Sequence, residues 1–175
     1  VGRDGMSLST MWDFEDFYKG RNLEKTEVFY ASPDGQLPCL AQYLVYAERH
    51  GLSWEKLRFK VSNLWYHSWY WDAAGYPPMH ALKLGPELIT FFLKGFPLAQ
   101  VASVTGYNPG EAGATPVQEV AFTLATGMFI TEQCVKVGLN PDEFVPRFYG
   151  HDHTSLDLFE TVAKFRAKRK MWAKI

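Results

Sequence analysis

Charge is scarce in this 175-residue chain: 21% of its residues are charged, the formal net charge is -1 at pH 7 and the pI is near 6.6. Such a balance offers no extended surface of one sign, which argues against nucleic acid or an acidic membrane surface as partner. Apolar runs are also short, since Lys, Glu or Gly breaks each one well before the ~18 residues of a membrane span. No secretory signal is visible. Cysteine is limited to Cys39 and Cys134, both in apolar, helix-like surroundings without metal-ligand spacing. They read as reduced core thiols of a cytoplasmic protein. A Gly-x-Ser-x-Gly nucleophile elbow is missing, and "GYNPGEAGAT" lacks the Lys-Ser/Thr ending of a phosphate loop. With Val1 and no Met at its start, the chain reads as a segment or a processed piece.

At 47% hydrophobic residues the chain can bury one substantial core, and it shows a repeated strand, loop, helix rhythm. "GMSLS" precedes a helix capped at Ser9 or Thr10 and stopped at Gly20. "TEVFYAS" precedes "QLPCLAQYLVYAERHG", where Leu37, Leu40, Ala41 and Leu44 share one helical face. "LRFKVSN" leads to the aromatic stretch "LWYHSWYWDAAGYPP" and then to "GPELITFFLKG", a helix with Pro86 in its first turn. "LAQVASVTGY" leads into a helix from Pro116 to Val137, and "EFVPRFYG" into a last helix from about Ser155 to Lys174. Thr115 and Gln118 form a capping box with Pro116 in the first turn; Val117, Val120, Ala121, Leu124 and Ala125 give the buried stripe. Gly138 stops that helix, and "NPDEF" repeats the Asn-cap, Pro-first grammar. Five such units without a hairpin signal predict a parallel sheet covered by helices. On pattern alone a five-stranded doubly wound sheet fits this length, because an eight-fold barrel takes roughly 250 residues.

Three places hold candidate chemistry. The loop of Asn108, Pro109, Gly110 and Glu111 is either a tight connection that needs glycines or a ligand-facing loop at the carboxyl end of a strand. His151 and His153 follow the "VPRFY" strand; they suit polar loop residues, general acid-base groups or, lacking further ligands at a recognisable spacing, an incomplete metal site. The stretch "LWYHSWYWD" is core packing or a subunit interface on one reading and the wall of an apolar site on the other. The basic cluster "KFRAKRK" reads as a solvated helix face.

The residues "TGYNPGEAGATPVQEVAFTLATGMFITEQCVKVGLNPDEFVPRF" and "FETVAKFRAKRKMWA" resemble the substrate-binding barrel of the adenosylcobalamin-dependent acyl-CoA mutases, the methylmalonyl-CoA mutase family. The likeness lies in Gly-Tyr, Glu-Ala-Gly-Ala, the Gln-Glu-x-Ala-Phe-Thr-Leu-Ala-x-Gly helix and the Ala-Lys-x-Arg-Ala-x-Arg-x-Trp-Ala end. It is strong from Thr105 onward and looser between Asn22 and Gln100. The resemblance implies a different fold from the pattern: the central portion of a (β/α)8 TIM barrel, about five of eight units, completed by other segments or chains. Residues 1–175 would all belong to the substrate and CoA-binding barrel, with no cobalamin-binding domain, since "HDHTS" does not fit that domain's Asp-x-His-x-x-Gly motif. The implied protein is an isomerase that performs a radical 1,2-carbon-skeleton rearrangement of an acyl-CoA. Its cofactor is adenosylcobalamin, with cobalt bound by another domain or chain. The implied partners are the acyl-CoA substrate, a cobalamin-binding domain or subunit and further barrel segments, in a homo- or hetero-oligomer.

By matching positions, the resemblance gives Tyr107 and Asn108 catalytic roles and sets Gly110, Glu111, Ala112 and Gly113 against the corrin. Substrate contacts fall to Ser62, Asn63, Trp69, Trp71, Asp72, Tyr76, Ser103 and Arg147, the last on the CoA side. Ser7, Ser9, Ser32 and Thr105 are further small polar candidates for a ligand threaded through the barrel. Departures from the family pattern sit at the acyl end. Asn108 stands where the family has a histidine near the thioester carbonyl; it donates a hydrogen bond but exchanges no proton. Ser62, Asn63 and Leu64 replace Gln-Asn-Asp. Near the place of the family's Arg-Asn-Thr-Tyr, whose arginine pairs with the methylmalonyl carboxylate, this chain has Trp71, Asp72, Ala73 and Ala74 and no arginine. A desolvated carboxylate beside Asp72 is unfavourable, so the expected substrate is not methylmalonyl-CoA. Two readings stay open: an active mutase with its acyl pocket rebuilt by Trp65, Tyr66, Trp69, Tyr70 and Trp71, or a catalytically silent subunit supporting an active one. A stand-alone binding module is a third.

Overall fold

The computed structural model describes residues 6–30, 36–62 and 78–175, which fall into two compact units, Val1–Val101 and Ala102–Ile175. Each is mixed α/β with short parallel strands. Among the described residues, no helix is long and apolar enough to cross a membrane.

The first unit opens with α1 (Met11–Tyr18), capped by Thr10: the Thr10 side chain accepts from the Asp13 N–H, and the Asp13 carboxylate accepts from the Thr10 N–H at 2.7 Å. These Thr10 hydrogen bonds hold the Asp13 carboxyl below the usual carboxylate range. Strands β1 (Glu27–Tyr30) and β2 (Arg58–Val61) pair in parallel from Glu27 opposite Arg58 to Tyr30 opposite Val61. Such a pair needs a crossover, supplied by α2 (Gln36–Arg49). After α3 (Pro78–Gly95) the chain returns beside β2, where the Gln100 N–H donates to the Phe59 carbonyl at 2.9 Å and a parallel bridge joins Lys60 to Gln100.

Aromatic rings fill this core. The hydroxyls of Tyr18 and Tyr30 lie 2.8 Å apart, the Tyr43 ring packs 5.8 Å from Tyr18 and 6.0 Å from Phe59, and Phe59 meets Phe92 and Phe96 at 5.2 and 5.4 Å. Burial pushes the phenols of Tyr18, Tyr30 and Tyr43 up, so all stay neutral at physiological pH.

Three expectations change here. The described part of "GMSLS", residues 6–9, forms no strand. Helix α2 buries Leu40, Tyr43, Leu44, Tyr46 and Ala47 and leaves Ala41 exposed, because the tyrosines carry more area to bury than Ala41 does. Helix α3 begins at Pro78 and not at Pro86, which lies inside it. Pro78 suits a first helical position and the residues after it are good helix formers, so the helix runs through Pro86 despite the lost N–H.

In the second unit β3 (Ala102–Thr105) and β4 (Phe148–His151) are parallel, with Ala102 opposite Phe148 and Thr105 opposite His151. Between them run α4 (Tyr107–Glu111), α5 (Pro116–Lys136) and α6 (Pro141–Phe144), and α7 (Leu158–Trp172) follows β4. The Thr115–Gln118 capping box and the Asn140 cap ahead of Pro141 form as the sequence predicts, and α5 ends just before Gly138. The buried face of α5 differs from the apolar stripe: Val117, Ala121 and Ala125 are exposed, while Glu119, Val120, Thr123, Leu124, Thr126, Gly127, Ile130 and Cys134 are buried. Burial pushes the Cys134 thiol up to about 12, which makes it an inert core group. Both cysteines are free thiols.

Candidate functional site

Strand alternation sorts the side chains of β3. Val104 lies toward α5, since a Cβ on Gly127 would come 3.2 Å from its Cγ1; Ser103 and Thr105 therefore project from the opposite face. Their register partners Tyr149 and His151 share that face. Ser103 and Thr105 are both buried. Burial raises the Tyr149 phenol and a hydrogen bond with the Ser103 side chain lowers it, with burial winning. The Thr105 hydroxyl donates to the His151 carbonyl at 2.7 Å. The face of this strand pair away from α5 is thus lined by hydroxyls, a phenol and an imidazole.

At the carboxyl end of β3 the chain turns straight into α4, where a loop was expected. Pro109 falls in the first helical turn, a place where its missing N–H costs nothing, and the Gly110 N–H closes the turn on the Gly106 carbonyl at 3.0 Å. Glycine is required on this approach. A Cβ on Gly106 would meet Thr123 Oγ1 at 2.5 Å and Glu119 Cγ at 2.6 Å, and one on Gly110 would meet His153 Cβ at 2.6 Å. Tyr107 is 38% exposed, Asn108 is half-buried, and Glu111, Ala112 and Gly113 are exposed. A Cβ on Gly113 would meet nothing within 4 Å. The shelf from Gly110 to Ala114 therefore bears only one side chain larger than a methyl group, that of Glu111.

The segment leaving β4 folds over α4. The Gly106 N–H donates to the His151 carbonyl at 2.9 Å, the His151 and Tyr107 rings stack with centroids 4.7 Å apart and planes 5° apart, and His153 Nε2 lies 3.3 Å from Glu111 Oε1. Beneath them is a buried clamp. Glu119 Oε1 accepts from the His153 N–H at 2.8 Å, Lys164 Nζ donates to Glu119 Oε2 at 2.7 Å, and the same ammonium donates to the His153 carbonyl. Glu119 and Lys164 side chains are 2% and 5% exposed, so each charge depends on the other. Lys168 bridges both oxygens of Asp152, at 2.8 and 2.6 Å.

Several expected site residues come together here: Tyr107, Asn108, Gly110, Glu111, Ala112 and Gly113 on the shelf, with Ser103 and Thr105 below it on β3. Arg147 sits at the amino end of β4, the opposite end of the strand pair from His151 and the shelf; burial lowers its guanidinium pKa. Ser62 follows β2 in the first unit, is buried, and its carbonyl accepts from the fully buried Gln36 amide at 2.9 Å. Ser7 and Ser9 are in the segment before α1, their hydroxyls 3.3 Å apart and on no strand. Ser32, Asn63, Trp65, Tyr66, Trp69, Tyr70, Trp71, Asp72 and Tyr76 lie outside the described residues. Among the described residues no group of three or more His, Cys, Asp and Glu is placed to hold a metal.

Sequence reasoning missed the clamp and corrects on the basic cluster: Lys164 and Lys168 turn inward to carboxylates, and only Arg166, Arg169 and Lys170 face solvent. A glutamate directly beside Val120 on a stripe assigned to the core was the one available signal, since a buried carboxylate demands a cation.

Parallel strands joined by helices define an α/β protein, and the glycine-dependent shelf with its convergent polar groups lies at the strands' carboxyl ends, where α/β folds commonly place ligand sites. The chain belongs to the methylmalonyl-CoA mutase family: the family profile described as "Methylmalonyl-CoA mutase" matches residues 1–175. It is 33% identical over 174 residues to "Methylmalonyl-CoA mutase" of Escherichia coli (strain K12), covering 99% of this chain and 24% of that protein. To "2-hydroxyisobutanoyl-CoA mutase large subunit" of Aquincola tertiaricarbonis it is 32% identical over 176 residues, 100% of this chain and 31% of the relative. "Methylmalonyl-CoA mutase, mitochondrial" of Homo sapiens is 30% identical over 174 residues, 99% of this chain and 23% of that protein. These relatives are by name mutases, which are isomerases, and this chain spans about a quarter to a third of their length.

Proposed function

We propose that this chain is the central part of the (β/α)8 substrate barrel of an adenosylcobalamin-dependent acyl-CoA mutase, acting on an acyl group other than methylmalonyl. The observation that carries the reading is the family match over the whole chain; the shelf at the carboxyl ends of β3 and β4 supports it, because the resemblance sets the shelf residues against the corrin. An eight-fold barrel takes roughly 250 residues. On this reading further barrel segments and a cobalamin-binding domain or subunit complete the enzyme, in a homo- or hetero-oligomer.

The shelf suits a flat macrocycle. From Gly110 to Ala114 its small residues, with Gly113 open to solvent, let a broad planar group approach the backbone, and Glu111 is positioned at its edge. When bound, adenosylcobalamin supplies the organic radical that starts the rearrangement. The work of this chain is to bind, orient and exclude water. Tyr107 would cover the reacting carbons, and the Asn108 amide would donate to the thioester oxygen. Ser103 and Thr105 would line the path of the pantetheine, and Arg147, at the other end of β4, would meet the CoA end of a ligand lying along the strands.

The acyl group follows from the sequence around Trp71 and Asp72, which offers no arginine to a free carboxylate. Relatives named for methylmalonyl-CoA and for 2-hydroxyisobutanoyl-CoA support a family able to change its acyl group. The natively purified assembly with adenosylcobalamin, offered a panel of acyl-CoAs, is expected to isomerise an uncharged acyl-CoA at least about a hundredfold faster than methylmalonyl-CoA, a gap set by one unpaired desolvated charge. Preferred turnover of methylmalonyl-CoA overturns the substrate assignment. Lack of turnover on every member of the panel overturns the mutase reading.

A further inference from the structure

The two histidines of "GHDHTS" have no role in the function proposed above, yet the structure places each against a shelf residue. His151 stacks nearly flat on Tyr107 at 4.7 Å and 5°, and His153 lies 3.3 Å from the Glu111 carboxylate. His151 is exposed, so core packing does not explain a coplanar stack. Aromatic pairs tolerate many offsets and tilts. The 151–153 segment is held from below instead. The His153 N–H and carbonyl are both taken by the Glu119–Lys164 pair, the Asp152 carboxylate by Lys168, and the His151 carbonyl by both Thr105 Oγ1 and the Gly106 N–H. The backbone on both sides of the His151 ring is thus anchored to α5, α7 and β3.

A half-exposed tyrosine at the start of a short helix has more than one staggered rotamer and a broad ring torsion open to it unless something covers one face of the ring. Tyr107 finds that cover in His151. We infer that His151 is a positioning residue for Tyr107: its imidazole, fixed on the clamped segment, fixes the plane of the phenol ring that faces the substrate. The inference rests on the mutase reading for what Tyr107 does, but the stack itself does not depend on it. The requirement is for a flat ring, so phenylalanine at position 151 should serve and alanine should not.

The test uses the complete assembly, this chain together with its cobalamin-binding partner. His151→Ala is expected to lower kcat by about fivefold, in line with the loss of one aromatic pair, with KM little changed. His151→Phe is expected to restore at least half of the lost turnover. In a Tyr107→Ala background, His151→Ala should add less than a twofold further loss, because its effect passes through the tyrosine. A His151→Phe variant as impaired as His151→Ala, or full additivity of His151→Ala with Tyr107→Ala, overturns the inference. Hydrogen exchange of the amides from Asn108 to Gly113 gives a readout without turnover: His151→Ala should speed it and His151→Phe should not. If the wild-type assembly isomerises nothing, the mutase reading fails and the exchange result alone decides the positioning role. Equal exchange in wild type and His151→Ala rejects it.

Discussion

Lys164→Met is expected to destabilise the Ala102–Ile175 unit by about 3–5 kcal/mol, the usual cost of removing one partner from a buried ion pair. Lys164 is the sole cation hydrogen-bonded to the Glu119 carboxylate among the described residues, and it also holds the His153 carbonyl. Methionine matches the lysine stem in length and polarisability, so the loss reports the missing charge and not a cavity. The pair Glu119→Gln with Lys164→Met should recover most of the loss: the glutamine oxygen still accepts from the His153 N–H, and no buried charge is left alone. Native-state hydrogen exchange of the α5 and α7 amides, in the assembly, reads both effects. A single variant within about 1 kcal/mol of wild type would mean that the pair is solvated and the clamp is not one.

Asn108→Ala is the second large effect, and it falls on turnover. With Asn108 donating to the thioester oxygen as proposed, its removal is expected to cost on the order of a hundredfold in kcat. The assembly should bind acyl-CoA nearly as tightly as before, because the donor is needed most at the transition state. Single-turnover kinetics with the best acyl-CoA of the panel separates the two. An unchanged rate removes Asn108 from the reacting centre. A rise in KM at constant kcat makes it a ground-state contact only.

Local grammar was legible in the chain and long-range pairing was not. Thr115, Pro116 and Gln118 lie within one turn of each other, so the cap of α5 follows from the sequence without knowledge of anything else, and the same holds for Thr10 with Asp13 and for Asn140 with Pro141. The parallel strands were legible as well, since β-rich runs separated by helices and without hairpin turns leave few other arrangements. The buried face of α5 was not. Its polar residues are inside because Lys164 lies opposite Glu119, 45 positions along the chain, and because the Thr123 hydroxyl is spent on the Glu119 carbonyl at 2.8 Å. An apolar stripe is a good guide only where the neighbouring element is apolar too.

The site was half legible for the same reason. Asn-Pro-Gly reads as a turn from its composition, but Pro109 lands in a first helical turn, where the proline ring is tolerated, and the stretch becomes α4. Tyr107 to Gly113 could be singled out from their resemblance to a family. His151 and His153 could be noticed but not assigned, because their partners Tyr107 and Glu111 are 44 and 42 residues away by number and meet them only through the β3–β4 register.

The proposed role of this chain is the cofactor-facing side of a cobalamin enzyme. Its most direct test is the molar ratio of bound cobalamin to this chain in the natively purified assembly, from the visible spectrum and quantitative mass spectrometry together. One cobalamin per copy of the chain is expected. A ratio near one half would make it the silent partner of an active subunit, and an assembly without any cobalamin, even after incubation with adenosylcobalamin, would rule out that role.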